Sequence, residues 1–447
     1  MSKRVAALFL ISIFVMVVCG SAAAYEALNG PTGVLKYDKA KAFDGYTLFS
    51  PQTNCKTTYL IDMEGNVVHK WETQYLPGLY AMLLENGNLL RGGRLDESPV
   101  SIGGVGGIVQ EIDWNGKVVW EYKMCSPKEV QHHCFARMPN GNTLILGWEH
   151  KTNEEALAKG RDPKSFPPSV FAGGKWHYGF WPDFVREVDK AGKTVWEWHA
   201  WDHIGKGPTK LDINYKLPEP IGDYYSNFDW THFNTVDYNP KTDQVIVNSR
   251  NMSETMLIDH KTGQIVWRWG NPCAYGQGEC PKFYDNGSQQ LFGSHHASFL
   301  DNGNIQIFDN GSERPEGNRS RVVEVNPRNN RIVWEYYSKD STSFFSYRQG
   351  AAQRLPNGNT LVTSTQHGHL FEVTPQKEIA WEYVVPVRAG KTVCFIEDGD
   401  GKNSVANGVH RSYRYGKDYP GLKGKDLSKK VPLTSCPEFW KLYKTAE

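Results

Sequence analysis

The feature that most constrains the fold is a phrase that recurs six times along the chain. Each copy has an apolar strand, a turn of acidic, polar or glycine residues, and a second strand that ends in tryptophan or a substitute. Alternating apolar and polar side chains around such a turn predict a β-hairpin. The six copies cover residues 59–71, 109–122, 185–198, 256–269, 322–336 and 370–383.

A third strand precedes each hairpin, and in five cases a further short strand precedes it through an Asn-Gly turn or a longer equivalent. Four-stranded units repeated in this way predict a β-propeller, because only neighbouring blades can cover the apolar faces of each sheet. We therefore predict an all-β fold, a six-bladed propeller of four-stranded antiparallel blades. Five recurring tryptophans are expected to pack between blades: Trp120, Trp196, Trp267, Trp334 and Trp381.

Closure of the ring requires a strand from a distant part of the chain. The first unit begins at its second strand near Gly45, and residues 408–416 alternate like a strand. We predict that this segment supplies the innermost strand of the blade begun by residues 45–72. The competing closure uses residues 34–42. Both arrangements pair amino-terminal with carboxy-terminal segments.

The amino terminus has the pattern of a secretory signal. Lys3 and Arg4 precede an apolar run at 5–18, and small residues follow at 20–24. This arrangement predicts a signal peptide at 1–24. The alternative is an uncleaved membrane anchor, although the apolar run is shorter than a membrane span requires.

The remaining residues, 25–447, are predicted to form one propeller domain with a closing strand and a tail. They contain no other long apolar run, so we expect a periplasmic or secreted protein with no stable membrane anchor after cleavage. Lipidation at Cys19 is disfavoured, because Val18 occupies the preceding position where a small residue is usual.

The charge balance limits the possible partners. The formal net charge is +1, and loss of Lys3 and Arg4 leaves 48 basic against 49 acidic residues. A chain without a strong basic field is not expected to bind nucleic acid. Aromatic residues make up 13% and charged residues 22%, a composition typical of a globular protein.

The cysteines suggest one disulfide. Cys273 and Cys280 bracket a glycine-containing loop of the kind that a disulfide closes in an oxidising compartment, and two independent buried thiols are the alternative. Cys125 and Cys134 form a weaker candidate pair. Three others cannot be paired from the sequence: Cys55, Cys394 and Cys436. No C-x-x-C motif occurs, so haem and zinc-ribbon sites lack support, and we expect no cofactor.

Three histidines share one register on predicted innermost strands. Counting back eight residues from the turn glycines Gly141 and Gly303 reaches His133 and His295. In the blade with a longer turn, His232 occupies the corresponding position. Innermost strands line the channel, so we expect these imidazoles to converge. Since neighbours on a strand face opposite ways, only one member of the doublets at 132–133 and 295–296 should point inward.

Groups suited to an oxyanion lie next to these histidines. Asn234 is two residues after His232 and is expected on the same face of that strand. Arg250 ends the second strand of the same blade, and Thr365 occupies the matching place in another blade. A guanidinium suits sulfate or phosphate, and amide and hydroxyl donors can complete the coordination. Taken singly, each of these residues is more often structural.

Several short motifs then resemble those of the bacterial arylsulfotransferase (arylsulfate sulfotransferase) family. They occur in order between about residue 46 and residue 422. The matching segments are 231–234, 247–250, 295–303, 308–311, 320–325 and 411–422.

This resemblance implies an exported six-bladed propeller that moves a sulfuryl group from one phenol to another without a nucleotide donor. It implies that His295 is the nucleophile, and that the other site residues handle the sulfuryl oxygens and protons: His133, His232, Asn234, Arg250 and Thr365. It also implies a disulfide near the active site between Cys273 and Cys280. Some members carry an amino-terminal β-domain that assists dimer formation. Since only about twenty mature residues precede the first strand here, a homodimer stays open.

The resulting hypothesis is ping-pong transfer through a sulfohistidine, with an aryl sulfate donor and a phenolic acceptor as the partners. The sequence leaves the acid and base roles of His133 and His232 undivided, and a shift of the nucleophile to His296 stays open. One alternative is a metal-dependent hydrolase or lyase with a three-histidine site, although Arg250 and Asn234 suit an anion better than a cation. Another is a non-catalytic propeller that binds a ligand.

Overall fold

The computed structural model describes residues 31–165, 170–172, 175–215, 228–341, 343–392 and 407–433, without the side chains of 170–172 and 175–177. The predicted signal peptide at 1–24 lies outside these ranges, as do Cys394 and Cys436. Within them, none of the helices has the length and apolar character that a bilayer crossing requires.

Each predicted blade is an antiparallel sheet of four or five strands, which confirms the six-bladed propeller. A separate strand, β1 (Gly33–Tyr37), precedes the blades. Blade 1 contains β2 (Gly45–Pro51), β3 (Thr57–Ile61) and β4 (Asn66–Glu72). Blade 2 contains β5 (Leu76–Leu83), β6 (Leu89–Arg94), β7 (Gly107–Ile112) and β8 (Val118–Lys123).

Blade 3 carries an excursion between its strands. It begins with β9 (Cys125–Ser126), β10 (Glu129–Arg137) and β11 (Thr143–Glu149). The excursion contains helix α1 (Asn153–Ala158), a 3-10 turn (Pro163–Ser165) and the hairpin of β12 (Val170–Ala172) and β13 (Lys175–His177). The blade ends with β14 (Asp183–Val188) and β15 (Thr194–His199), and a 3-10 turn (Ala200–His203) follows.

The remaining three blades complete the ring. Blade 4 contains β16 (Phe233–Asn239), β17 (Gln244–Ser249), β18 (Glu254–Asp259) and β19 (Ile265–Trp269), followed by a 3-10 turn (Pro272–Tyr275). Blade 5 contains β20 (His295–Phe299), β21 (Ile305–Asp309), β22 (Arg321–Asn326) and β23 (Arg331–Tyr336). Blade 6 contains β24 (Ala351–Arg354), β25 (Thr360–Ser364), β26 (His369–Val373) and β27 (Ile379–Val384), with a 3-10 turn (Thr365–His367) after β25.

The carboxy-terminal elements return to blade 1. They are the hairpin of β28 (Val387–Arg388) and β29 (Lys391–Thr392), then β30 (Val409–Gly416), a 3-10 turn (Pro420–Leu422) and β31 (Val431–Pro432). The middle strands β21 and β25 are buried along their whole length. This burial follows from the architecture, because the blades on either side cover both faces of each sheet.

The predicted closure is confirmed. β30 pairs antiparallel with β2, from Gly45 opposite Gly416 to Pro51 opposite Val409, and forms the innermost strand of blade 1. The competing segment is also used, but elsewhere: β1 pairs with β27 at the outer edge of blade 6. The two chain ends are therefore fastened into adjacent blades at different radii.

The recurring tryptophans join successive blades. Three indoles donate to an acceptor in the next blade. Trp267 donates to Oδ1 of Asn330 at 2.8 Å, Trp334 to the carbonyl of Pro375 at 3.1 Å, and Trp381 to the carbonyl of Met63 at 2.9 Å. Trp120 and Trp196 are half-buried and contact Arg137 and His260 of the next blade. The repeated tryptophan is thus part of the packing between blades, as predicted.

Candidate active site

A cavity of about 320 Å³ opens at one end of the channel. It brings together four of the six residues predicted for the site, namely His133, His232, His295 and Arg250. Its other walls come from Ile102, Gly103, Asp229, Asn251 and residues 347–349.

The imidazoles converge because β-bulges interrupt the inner strands at this level. The pairing of β10 with β11 shifts between Gln131 and Phe135, and that of β16 with β17 shifts between Phe233 and Thr235. His133 has φ 44° in the first strand, and His232 has φ 45° just before the second shift. Bulges re-aim side chains, and non-glycine residues at positive φ often mark functional sites.

The doublet in blade 5 is divided between two cavities. His295 lines the site cavity, whereas His296, with φ 41°, lines a second cavity of about 230 Å³ together with Tyr413. The pairing of β20 with β21 shifts between His295 and Ala297, which leaves His296 as the extra residue. Only His295 lies with the other predicted site residues.

Hydrogen bonds define the protonation of His295. Its Nδ1 lies 2.7 Å from Oδ1 of Asn310 and 3.0 Å from the carbonyl of Gly293. The Asn310 amide nitrogen donates to the carbonyls of Ser346 and Gln349, so its oxygen must face the imidazole. Two acceptors place a proton on Nδ1 and leave a lone pair on Nε2, which accepts the backbone N–H of Gln349 at 3.2 Å.

His295 is neutral at physiological pH. Burial, followed by the nearby Arg250 guanidinium, holds the pKa of His295 well below its usual value. A neutral imidazole with a lone pair on Nε2 is a competent nitrogen nucleophile.

His133 is held from two sides. Its Nδ1 lies 2.8 Å from Nδ1 of His132, and its backbone N–H donates to the carbonyl of Gly104 at 2.8 Å. Burial lowers the pKa of His133 well below its usual value, and the neighbouring imidazole of His232 adds to the effect. His133 is therefore a neutral base.

His232 has a carboxylate partner. Its Nδ1 hydrogen-bonds to Asp229, whose side chain is buried, and its ring centroid lies 4.7 Å from that of His133. Because a carboxylate oxygen only accepts, the shared proton lies on Nδ1 of His232. In the cavity, His232 is thus paired with a carboxylate, and the adjacent His133 is paired with a second imidazole.

Arg250 supplies positive charge to the same cavity. It is half-buried, and its Nη1 donates to Oδ1 of Asn251 at 3.0 Å. The amide of Asn251 in turn donates to the carbonyl of Asp229 at 2.6 Å. This contact orients the guanidinium, which lines the cavity and is suited to binding an oxyanion.

Asn234 does not line the cavity. Its amide nitrogen donates to the carbonyl of Ser294 at 2.8 Å, and Asn248 donates to the same carbonyl at 2.7 Å. The expectation that Asn234 shares a face with His232 fails because the bulge between them interrupts the alternation. The structure instead gives Asn234 contact with the residue before His295.

Thr365 also lies outside the cavity wall. It begins the 3-10 turn after β25, and its hydroxyl donates to the carbonyl of His410 at 3.4 Å. The hydroxyl therefore contacts the closing strand rather than the space beside Arg250.

Sequence reasoning missed His410, which lies beside the cavity. Its side chain is fully buried, and its ring centroid lies 6.2 Å from that of His133 and 6.4 Å from that of His295. Neither ring nitrogen has a hydrogen-bond partner among the described residues. The signal was present, because His410 lies in the predicted closing strand and innermost strands line the channel.

The predicted disulfide is present. Cys273 and Cys280 are joined with their Cα atoms 5.0 Å apart, in the connection between β19 and β20 that ends at His295. The weaker pair is not formed, since neither Cys125 nor Cys134 takes part in a disulfide, and the same holds for Cys55. In the parts of the chain that the structure describes, no group of three His, Cys, Asp or Glu side chains is arranged to hold a metal ion.

Fold and cavity together define a six-bladed β-propeller with an imidazole-rich, oxyanion-suited site at its axis. The family model described as "Arylsulfotransferase (ASST)" matches residues 177–395, just under half of the chain, so this segment is similar to the arylsulfotransferase family. The matched range contains His232, Arg250 and His295, whereas His133 precedes it.

A curated relative and two solved structures extend the comparison. Arylsulfate sulfotransferase AssT of Escherichia coli O6:H1 (strain CFT073) is 22% identical over 320 residues, which cover 59% of this chain and 50% of the relative. The chain thus spans about half the length of that relative. A Bacteroides caccae protein of unknown function is 14% identical with a TM-score of 0.47, covering 76% of this chain and 94% of its own. AztD of Citrobacter koseri is 10% identical with a TM-score of 0.38, covering 77% and 95%.

Proposed function

We propose that this protein transfers a sulfuryl group from an aryl sulfate ester to a phenol at the cavity that contains His295 and Arg250. The observation that carries the proposal is the state of His295, which is neutral, protonated on Nδ1 and held with Nε2 in a cavity beside a guanidinium. Similarity to the arylsulfotransferase family supports the same chemistry.

The first step is attack by Nε2 of His295 on sulfur. An N–S bond forms, the S–O bond to the aryl group breaks, and the electron pair leaves with the phenolate oxygen. The product is a sulfohistidine whose Nδ1–H still donates to Asn310. In the second step the oxygen of an acceptor phenol attacks sulfur, and the N–S electron pair returns to Nε2. Two successive displacements of this kind give ping-pong kinetics.

Arg250 and His232 hold the sulfuryl oxygens. The guanidinium compensates their negative charge, and the imidazole of His232, whose Nδ1 is paired with Asp229, can donate from Nε2 when it carries a second proton. The backbone N–H of Gln349, which contacts Nε2 of His295, is placed to donate to a sulfuryl oxygen once that nitrogen is bonded to sulfur. The cavity volume is at the lower end of the range for small-molecule sites, which suits a single aromatic ring.

Export forms part of the proposal. The predicted signal at 1–24 would deliver the domain to the periplasm or the medium, and the Cys273–Cys280 disulfide suits an oxidising compartment.

The decisive experiment uses the donor alone. Protein mixed with 4-nitrophenyl sulfate and quenched in the absence of acceptor should carry one sulfuryl group on His295, located by peptide mass spectrometry, together with a stoichiometric burst of 4-nitrophenol. His295→Asn should lose both signals. His296→Asn, a change in the adjacent residue, should keep them because that imidazole faces the other cavity. Full transfer by His295→Asn would refute the assignment.

A further inference from the structure

His132 and Asp183 form a buried pair behind His133, and the proposed reaction steps give this pair no role. His132 and Asp183 are both fully buried, and Nε2 of His132 lies 2.9 Å from Oδ1 of Asp183. The two atoms are not aligned for a hydrogen bond, but a carboxylate at this distance still acts on the ring electrostatically. The other oxygen of Asp183 accepts the hydroxyl of Thr231.

His132 is fixed in its plane by stacking. Its ring lies 3.7 Å from that of Trp148, with an interplanar angle of 11°. This stacking sets the direction of both ring nitrogens, one toward Asp183 and the other toward His133. Both members of the doublet are buried because the neighbouring blades cover both faces of β10.

The position of the protons follows from these contacts. The carboxylate of Asp183 favours N–H at Nε2 of His132, which leaves a lone pair on its Nδ1. The proton in the 2.8 Å contact between the two Nδ1 atoms then belongs to His133. His133 is left with a lone pair on Nε2.

We propose that the Asp183–His132 pair acts on His133 as positioning residues and makes it the base that takes the proton from the acceptor phenol. This inference rests on the proposed function. The acceptor O–H bond breaks, the proton goes to Nε2 of His133, and the phenolate oxygen forms the bond to sulfur as the N–S bond to His295 breaks. In the donor step the same proton returns from His133 to the leaving oxygen, so that over one cycle a proton moves from acceptor to product phenol.

The surroundings of His133 explain why such a pair is needed. Four imidazoles face it, those of His132, His232, His295 and His410, and burial together with these rings keeps its pKa well below the usual value. A proton that arrives on His133 would be expelled without a compensating negative charge. Asp183, acting through His132, supplies that charge, and it does so without becoming protonated itself.

The test separates the two half-reactions. Asp183→Asn keeps an oxygen toward His132 and removes only the charge. With 4-nitrophenyl sulfate as donor, the rate of the 4-nitrophenol burst should change by less than about threefold, because 4-nitrophenolate leaves without protonation. The kcat/KM for phenol as acceptor should fall by about 10- to 100-fold, and by less for an acidic acceptor that is already ionised. His132→Phe, which keeps the stack on Trp148, should show the same pattern.

Glu382→Gln is the matched control. Glu382 is a buried carboxylate that contacts a buried imidazole, His369, at 2.6 Å in blade 6, remote from the cavity. It should leave the dependence on acceptor acidity unchanged. Equal losses in both half-reactions of Asp183→Asn, or no loss in either, would overturn the proposal.

A measurement independent of turnover covers a variant that fails to fold. In histidine-¹⁵N-labelled wild-type protein, His132 should carry its proton on Nε2 and His133 on Nδ1, as read from the ring nitrogen shifts. A proton on Nε2 of His133 would overturn the inference. An absence of any transfer by the wild-type protein would instead refute the proposed function, on which the inference rests, whereas normal wild-type transfer with the other tautomer of His133 would refute the inference alone.

Discussion

Replacing Gly104 by alanine should push His133 out of position and slow sulfuryl transfer by about 100-fold. A Cβ built on Gly104 would lie 1.9 Å from Cε1 of His133. Carbon atoms pack at about 3.5–4.0 Å, so the ring would have to move by about 1.5 Å or more. His132 and the carbonyl of Gly104 both hold His133, so this movement cannot occur without loss of a hydrogen bond.

The backbone cost of the change is separable from the steric one. Gly104 has φ 98°, which alanine adopts at a cost of about 1–2 kcal/mol. Gly116, in the hairpin turn of blade 2, has φ 89° and nothing within 4 Å of its Cβ position. Gly116→Ala therefore carries the same backbone cost without the clash. Gly116→Ala should lose only the stability that the backbone cost implies, Gly104→Ala should lose more because of the clash, and only Gly104→Ala should lose activity.

The assay is the initial rate of transfer from 4-nitrophenyl sulfate to phenol, with urea unfolding measured in parallel. Gly104→Ala should add little in a His133→Asn background, since residues that act through one contact are not additive. Wild-type turnover by Gly104→Ala, or an equal loss in Gly116→Ala, would refute the reasoning.

Three further predictions concern the nucleophile, the closure and acid stability. Asn310→Leu should abolish the burst of 4-nitrophenol and lower the free energy of unfolding in urea by about 2–4 kcal/mol, because it removes the side-chain acceptor for His295 and the amide donor to the Ser346 and Gln349 carbonyls. A normal burst would contradict this role. Arg414→Met should lower the free energy of unfolding in urea by about 3–5 kcal/mol, since it leaves the buried carboxylate of Glu372 without its cationic partner. Removal of the exposed Lys417 charge should lower it by less than about 1 kcal/mol. The free energy of unfolding should fall as the pH drops through about 6.5. Burial lowers the pKa of four histidines, and unfolding restores their usual pKa, so that unfolding takes up protons; they are His133, His295, His296 and His410. Urea titrations between about pH 8 and 5 that show no such fall would exclude this effect.

Much of the fold was predictable because it depends on a repeated local pattern. The alternation and the turn residues of each hairpin are encoded within fewer than twenty residues, and six copies left few architectures to consider. The role of β1 was less accessible. The sequence of 34–42 suggested that this segment closes the ring. The strand that it joins, β27, was not predictable, because this depends on which sheet keeps a free edge once β30 has closed blade 1.

The site was predictable only as far as strand register reaches. Counting from turn glycines located His133, His232 and His295, since that distance is set by the length of a strand. Asn234 was misplaced because a bulge changes the alternation, and no residue type marks a bulge reliably. His132 and Asp183 were beyond reach, since their contact joins two strands of blade 3 that are separated by the excursion.

The closing strand has a consequence for when the protein becomes active. β30 is synthesised after β1 to β29, yet it places His410 beside the imidazoles and completes the channel wall of the first blade. A nascent chain with five finished blades still has an open sheet edge where this wall belongs. The proposed transfer therefore cannot begin until residues 409–416 have been synthesised, and a truncation before residue 409 should abolish it while sparing most of the blades.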